Sequence, residues 1–198
     1  MSQKKRLLNV GAGLEVTGLP PQYAQFDVLR LDIDPAIAPD VLCDARELTR
    51  LDAGQFDAIY CAHNLEHYYK HEVPRVLAGF LHVLKAQGFA HIIVPDVAEV
   101  MRLALERSLD LEDALYTSPA GPISVHDVIY GYTPEIQASG NHFYAHKTGF
   151  SPKSLLKVVE AAGFAKVFHT TGNYEVHVLA FKSLPDAQSR ALFGLPEG

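Results

Sequence analysis

Glycines, carboxylates and histidines are the residues of this chain whose spacing could support chemistry. Gly11 and Gly13 end the apolar run Leu7-Leu8-Asn9-Val10, and Asp32 and Asp34 close a second run around Leu31 and Ile33. Glycine lets the backbone pass beneath a ligand with no Cβ in the way, and a carboxylate about twenty positions later can accept both hydroxyls of a ribose. The pair outlines a cradle for a nucleoside-type ligand, although Gly-x-Gly alone also marks ordinary turns. Among ten histidines, His63 and His67 stand four apart, as do His142 and His146, a ligand spacing on a helix. His71 and Pro74 begin a new helix after the first pair, and Gly140 and Asn141 precede the second. No continuous ligand stripe results, and no metal is expected. Candidate proton acceptors are His63, His67 and His146, with His126 and His142 behind them. For His67 the alternative is a buried ring donating to a backbone carbonyl.

These residues need elements to hold them. Residues 4–10, 26–33, 41–43, 56–61 and 89–94 read as strands, because short apolar runs are cut by Gly, Pro or Asp. Gly18, Pro20 and Pro21 forbid a full helix between the first two, so the front half is strand-rich and helix-poor. From Glu72, Val73, Val76, Leu77, Phe80, Leu81 and Leu84 fall at helical spacing, with Pro74 in the first turn and Gly88 as the stop. Val97 to Arg107 reads as a helix. Ser151-Pro152 caps a second one, with Leu155, Leu156, Val158, Val159 and Ala162 as its stripe and Gly163 as its end. Residues 165–171 and 175–181 form a hairpin across Gly172-Asn173. Residues 108–149, rich in Gly, Pro, Tyr and His, show no clean period and read as a lid or insertion. Residues 183–198 read as a surface tail, leaving one domain over 1–182.

Bulk properties narrow the classes. With 198 residues the chain can bury one substantial core. A net charge of -6, with no basic run beyond Lys4-Lys5-Arg6, disfavours nucleic acid as a partner. Cys43 and Cys61 are too few for a disulfide framework and read as free thiols. No run reaches membrane-spanning length, and no signal-peptide core precedes the first strand. A cytoplasmic location and no membrane partner are expected.

The order of elements then matters more than the glycines. The stretches Asn9-Val10-Gly11-Ala12-Gly13, Leu31-Asp32-Ile33-Asp34-Pro35, Cys43-Asp44-Ala45 and Phe56-Asp57-Ala58-Ile59-Tyr60 run on into Ala62-His63-Asn64-Leu65-Glu66-His67. With Arg75 to Gly88 and His146 to Phe150, the chain resembles a class I S-adenosylmethionine-dependent methyltransferase of the small type 11-like branch. The resemblance implies an α/β, Rossmann-like domain with a seven-stranded, mostly parallel sheet. Its strands, numbered along the chain, would lie in the order 3-2-1-4-5-7-6, with the last strand antiparallel.

It also implies S-adenosylmethionine as cofactor. Amides of Gly11, Ala12 and Gly13 would face its methionine part, Asp32 its ribose, and Asp44 and Ala45 its adenine edge, with Ile33 also among the cofactor-binding residues. His63 would serve through its backbone or as base. A helix cap is the alternative for Asp44, and Asp34 is expected to cap its loop. Tyr130, Tyr132, Phe143 and Tyr144 would line an acceptor pocket or pack the lid. The acceptor is expected to be a small molecule or saccharide. A dinucleotide oxidoreductase would want a third glycine where Val16 stands and a helix for the pyrophosphate. Two further alternatives are an inactive scaffold of the same fold and a homodimer covering the helix-poor sheet face.

Overall fold

Leu7 and Leu8 point to opposite faces of one strand, as consecutive strand residues must, and both are fully buried. A strand apolar on both faces needs cover on both, and the fold supplies two different covers. The computed structural model describes residues 4–13, 18–119 and 121–196. Val16 lies outside the described residues.

The strands are β1 Arg6–Val10, β2 Asp27–Asp32, β3 Val41–Leu42, β4 Phe56–Ala62, β5 Leu84–Pro95, β6 Ala114–Ser118, β7 Gly121–Ser124, β8 Lys166–Gly172 and β9 Glu175–Phe181. Seven form one sheet in the order β3-β2-β1-β4-β5-β9-β8, while β6 and β7 pair in a separate ribbon. Counted over sheet strands alone, this is the expected 3-2-1-4-5-7-6. Only β9 runs against its neighbours. The α/β, Rossmann-like reading with a helix-poor first half holds. Between β1 and β2 the described residues form a single turn, Pro21–Tyr23.

The first face packs Leu8, Val10, Ile59 and Ile92 beneath helix α1, Val73–Val83, which contributes Val76, Leu77 and Phe80. Later helices are α2 Val97–Glu106, α3 Val125–Tyr130, α4 Thr133–Ser139, α5 Pro152–Ala161 and α6 Ala187–Phe193. Ser151 caps α5 in a capping box, and Leu155 and Val159 complete this core.

Four expectations change. α1 ends at Val83, not Gly88, because Leu84 turns extended and pairs with Phe56, placing Gly88 inside β5. The hairpin turn is Asn173-Tyr174, one residue further on, with both residues at positive φ as such a turn requires. The insertion is ordered: the β6–β7 ribbon, α3 and α4 gather Leu115, Val125 and Val128 against Val100 and Leu103 of α2. Finally, the segment expected as a tail contains α6. Its Leu192 and Phe193 join Tyr23, Phe89 and Phe181 over the second sheet face. That face is covered within the chain, which removes the reason for expecting a homodimer. Among the described residues no helix is long and apolar enough to cross a membrane.

The second face also encloses an imidazole. His91 is 7 % exposed, and its Nδ1 meets the Tyr23 hydroxyl at 2.9 Å. Burial, aided by nearby His177, lowers the His91 pKa to about 4 from an ordinary 6.5. The unfolded chain therefore takes up this proton below pH 6.5 while the folded one does not. The group's contribution to stability is full above that pH and lost as pH falls toward 4. Lowering the pH from 7 to 5 should cost about 2 kcal/mol through this ring. Thermal unfolding of His91→Gln, which keeps a partner for Tyr23, should show a correspondingly shallower loss. Equal losses in parent and variant would contradict this.

Candidate active site

The carboxyl ends of β1, β2 and β4 surround a cleft of about 190 Å³, whose walls include Gly11, Gly13, Asp32, Ile33, Asp44 and His63. Gly11 sits at φ +70°, and a Cβ there would lie 2.2 Å from Asn64 Nδ2, so the Asn64 side chain requires glycine beneath it. The loop amides are not aimed at a ligand as expected. Gly11 and Ala12 donate to the Leu31 carbonyl, and Gly13 donates to Asp32 Oδ2 at 3.2 Å. Asp34 N donates to Asp32 Oδ1 at 3.0 Å. The two amides orient the Asp32 carboxylate, and each oxygen keeps a lone pair for a hydroxyl. Ile33, 41 % exposed, offers an apolar wall beside it.

Asp44 follows its alternative reading. It caps the turn Ala45–Arg50 through the Arg46 amide at 2.9 Å and receives the Arg46 guanidinium. Although burial opposes ionisation, those bonds hold its carboxyl below the usual range. Arg46 also pairs with Glu72. The adenine role expected for Asp44 thus competes with a structural one. Ala12 and Ala45 do not line the cleft among the described residues, and Ala45 is buried. Asp34 caps Pro35–Ile37, as expected, and its Oδ2 receives the Tyr144 hydroxyl of the insertion at 3.4 Å.

A second cavity, of about 160 Å³, opens on the other side of His63. Its walls include Tyr116, Ile123, Tyr132, His146, Tyr174 and Glu175. His63 lines both spaces. Its backbone holds the left-handed φ of +49°, a conformation that persists only where the surroundings enforce it. Nε2 lies 2.8 Å from Glu175 Oε1 and Nδ1 3.6 Å from Glu66 Oε1. Burial disfavours the charged ring, but the two carboxylates outweigh it and push its pKa up to about 10. A ring protonated in this way is a poor proton acceptor at neutral pH, which argues against the expected role of His63 as base.

Glu66 is the residue that sequence reasoning passed over. It is 1 % exposed, and among the described residues neither carboxylate oxygen has a hydrogen-bond partner. His146 Nε2 lies 4.0 Å from Glu66 Oε1, while its Nδ1 meets the Val128 carbonyl at 3.0 Å. Burial lowers the His146 pKa, against the pull of Glu66. His67 has the buried-ring character foreseen as its alternative: Nδ1 lies 3.2 Å from the Ala145 carbonyl and Nε2 3.1 Å from the His63 carbonyl. The fold therefore brings His63, His67 and His146 together around Glu66. His126 and His142 line neither cavity among the described residues, and nor does Tyr130. Tyr132 borders the second cavity, whereas Phe143 and Tyr144 border the first. Glu175, also missed, opens a strand whose register against β5 had no local signal.

Residues 6–92 match the family model described as a methyltransferase domain. Over that stretch, a little under half of the chain, the sequence is similar to the methyltransferase domain family. No curated protein matches it in sequence. Solved structures agree on the fold across most of the chain. The PH0226 protein of Pyrococcus horikoshii OT3 is similar at a TM-score of 0.58 and 13% identity, over 91% of this chain and 83% of that one. A SAM dependent methyltransferase from Archaeoglobus fulgidus gives 0.57 and 15%, over 90% and 86%. The 1,6-didemethyltoxoflavin-N1-methyltransferase of Burkholderia thailandensis, solved with 1,6-didemethyltoxoflavin and S-adenosylhomocysteine, gives 0.52 and 16%, over 91% and 72%.

The two loop glycines should respond differently to a methyl group. Gly13→Ala meets no described atom within 4 Å and pays only for its positive φ, about 1–2 kcal/mol. Gly11→Ala adds a collision with Asn64 and should lose clearly more in urea unfolding. Equal losses would show that Asn64 does not hold this loop.

Proposed function

We infer that the protein transfers a methyl group from S-adenosylmethionine, held in the first cleft, to a small-molecule or saccharide-type acceptor held in the second cavity. The observation that carries this reading is that the two spaces share one wall residue, His63. When bound, the cofactor supplies an electrophilic methyl on a sulfonium sulfur. The chain's residues fit it: Asp32 is oriented for a diol, Ile33 offers an apolar surface, and the cleft requires no pyrophosphate-binding helix.

Methyl transfer is an in-line displacement, so positioning the acceptor is the main task of the protein. Tyr116 stacks on Tyr174 at 5.2 Å and 9°, giving the second cavity a flat aromatic wall suited to a ring-shaped acceptor. Where the accepting atom carries a proton, that proton must leave. His63 is held protonated by its carboxylates, and both nitrogens of His67 face carbonyls. The wall made by His146 and Glu66 is left to assist the loss of that proton. The free thiols Cys43 and Cys61 fit work in the reducing cytoplasm.

Calorimetric titration with S-adenosylhomocysteine tests the reading. The parent should bind in the micromolar range, and Asp32→Ala should bind at least about tenfold more weakly, or about 1.4 kcal/mol. No binding by the parent, or tighter binding of NADH titrated alongside, would sink it.

A further inference from the structure

The Glu66 carboxylate is enclosed, carries two oxygens without hydrogen bonds, and faces two imidazoles. We propose that Glu66, His67 and His146 form a divalent transition-metal site of the zinc class at the wall of the acceptor cavity. This rests on reading the second cavity as the acceptor site.

One ligand atom from each residue lies within 4.8 Å of the other two, a separation that a single ion can bridge with bonds of about 2 Å and small rotamer shifts. The hydrogen bonds favour an ion. When His146 donates Nδ1–H to the Val128 carbonyl, its Nε2 lone pair is left facing the Glu66 oxygen 4.0 Å away. Two lone-pair donors aimed at one space repel unless a cation lies between them. A backbone carbonyl on the far nitrogen is also the usual orienting partner of a metal-bound histidine. His67 repeats the pattern. Its two nitrogens both face carbonyls, and a neutral ring has only one N–H to give, so one contact sets lone pair against lone pair. Turned away from that carbonyl, the ring offers this nitrogen to an ion.

The donor set narrows the metal. Two imidazoles with one carboxylate suit zinc and its neighbours rather than calcium or magnesium, and three protein ligands leave a position open. His146 borders the acceptor cavity and His67 the first cleft, so an ion between them would sit at the wall of both spaces with its open position available to an acceptor hydroxyl. There the ion lowers the hydroxyl pKa and the proton leaves to solvent. The oxygen then forms its bond to the methyl carbon as the carbon–sulfur bond breaks, with that electron pair returning to sulfur. The sequence spacing of the histidines pointed away from a metal, because the ligands come from the β4 loop and the end of the insertion rather than from one helix.

Competition between a zinc-selective chelator and the full-length protein tests the site with Zn²⁺ alone. The parent should retain one equivalent of zinc through gel filtration and unfold at a higher temperature with it. Glu66→Gln, His67→Ala and His146→Ala should each bind zinc at least tenfold more weakly. If Glu66→Gln fails to fold, the two histidine variants carry the test. His169→Ala, on the exposed face of β8, should bind zinc as the parent does. A parent that retains no zinc, or a His146→Ala variant that binds it unchanged, overturns the site. S-adenosylhomocysteine binding by a zinc-free parent would then leave the proposed methyl transfer standing.

Discussion

A carboxylate sealed from water and given no hydrogen bond must be balanced by charge, and Glu66 imposes that demand on everything around it. His63 answers it from the β4 loop, at the cost of a left-handed backbone. Glu175 then holds the other end of His63 and draws the start of β9 to the same point. The insertion is attached here as well, because the amides of Lys147 and Thr148 both donate to the Glu66 carbonyl. His67 and His146 pack edge to face, 4.9 Å apart, beside the carboxylate. Through its side chain, its backbone carbonyl and His63, Glu66 thus links the β4 loop, the first residue of β9 and the end of the insertion, which meet at the wall between the two cavities.

The sheet behind this cluster explains why it can be rigid. α1 and α5 cover one face with mostly aliphatic side chains, while Tyr23, Phe89, Phe181 and Phe193 cover the other with an aromatic cluster. Burial on both faces fixes the strand ends from which Asp32, His63 and Glu175 project. The insertion adds a second tether, from Tyr144 to Asp34 at the first cleft. The insertion is thus joined to both Asp34 of the β2 loop and Glu66 of the β4 loop.

Much of this was legible in the sequence where local chemistry decided it. Short apolar runs ended by glycine, proline or aspartate marked the front strands, and Ser151-Pro152 marked the start of α5. Asp34 read correctly as a cap. The rest depended on contacts that local patterns do not express. Phe193 belongs to the core only because α6, too short to show a clear period, folds back beneath the sheet. Leu84 fits the α1 stripe as well as a strand, and its pairing with Phe56 decided for the strand. His63 and Glu175 lie 112 residues apart, and only the β5–β9 register brings them together. Glu66 was visible in the sequence as part of Leu-Glu-His, but its isolation from water was not.

The account places the reacting centre at the wall formed by His63, between cleft and cavity. A crystal structure of the full-length protein with S-adenosylhomocysteine tests this most directly. The account predicts the ribose hydroxyls on Asp32 and the sulfur beside His63, facing the space bordered by Tyr174 and His146. A sulfur directed away from that cavity, toward Tyr69 and Glu72 at the other end of the cleft, would contradict it.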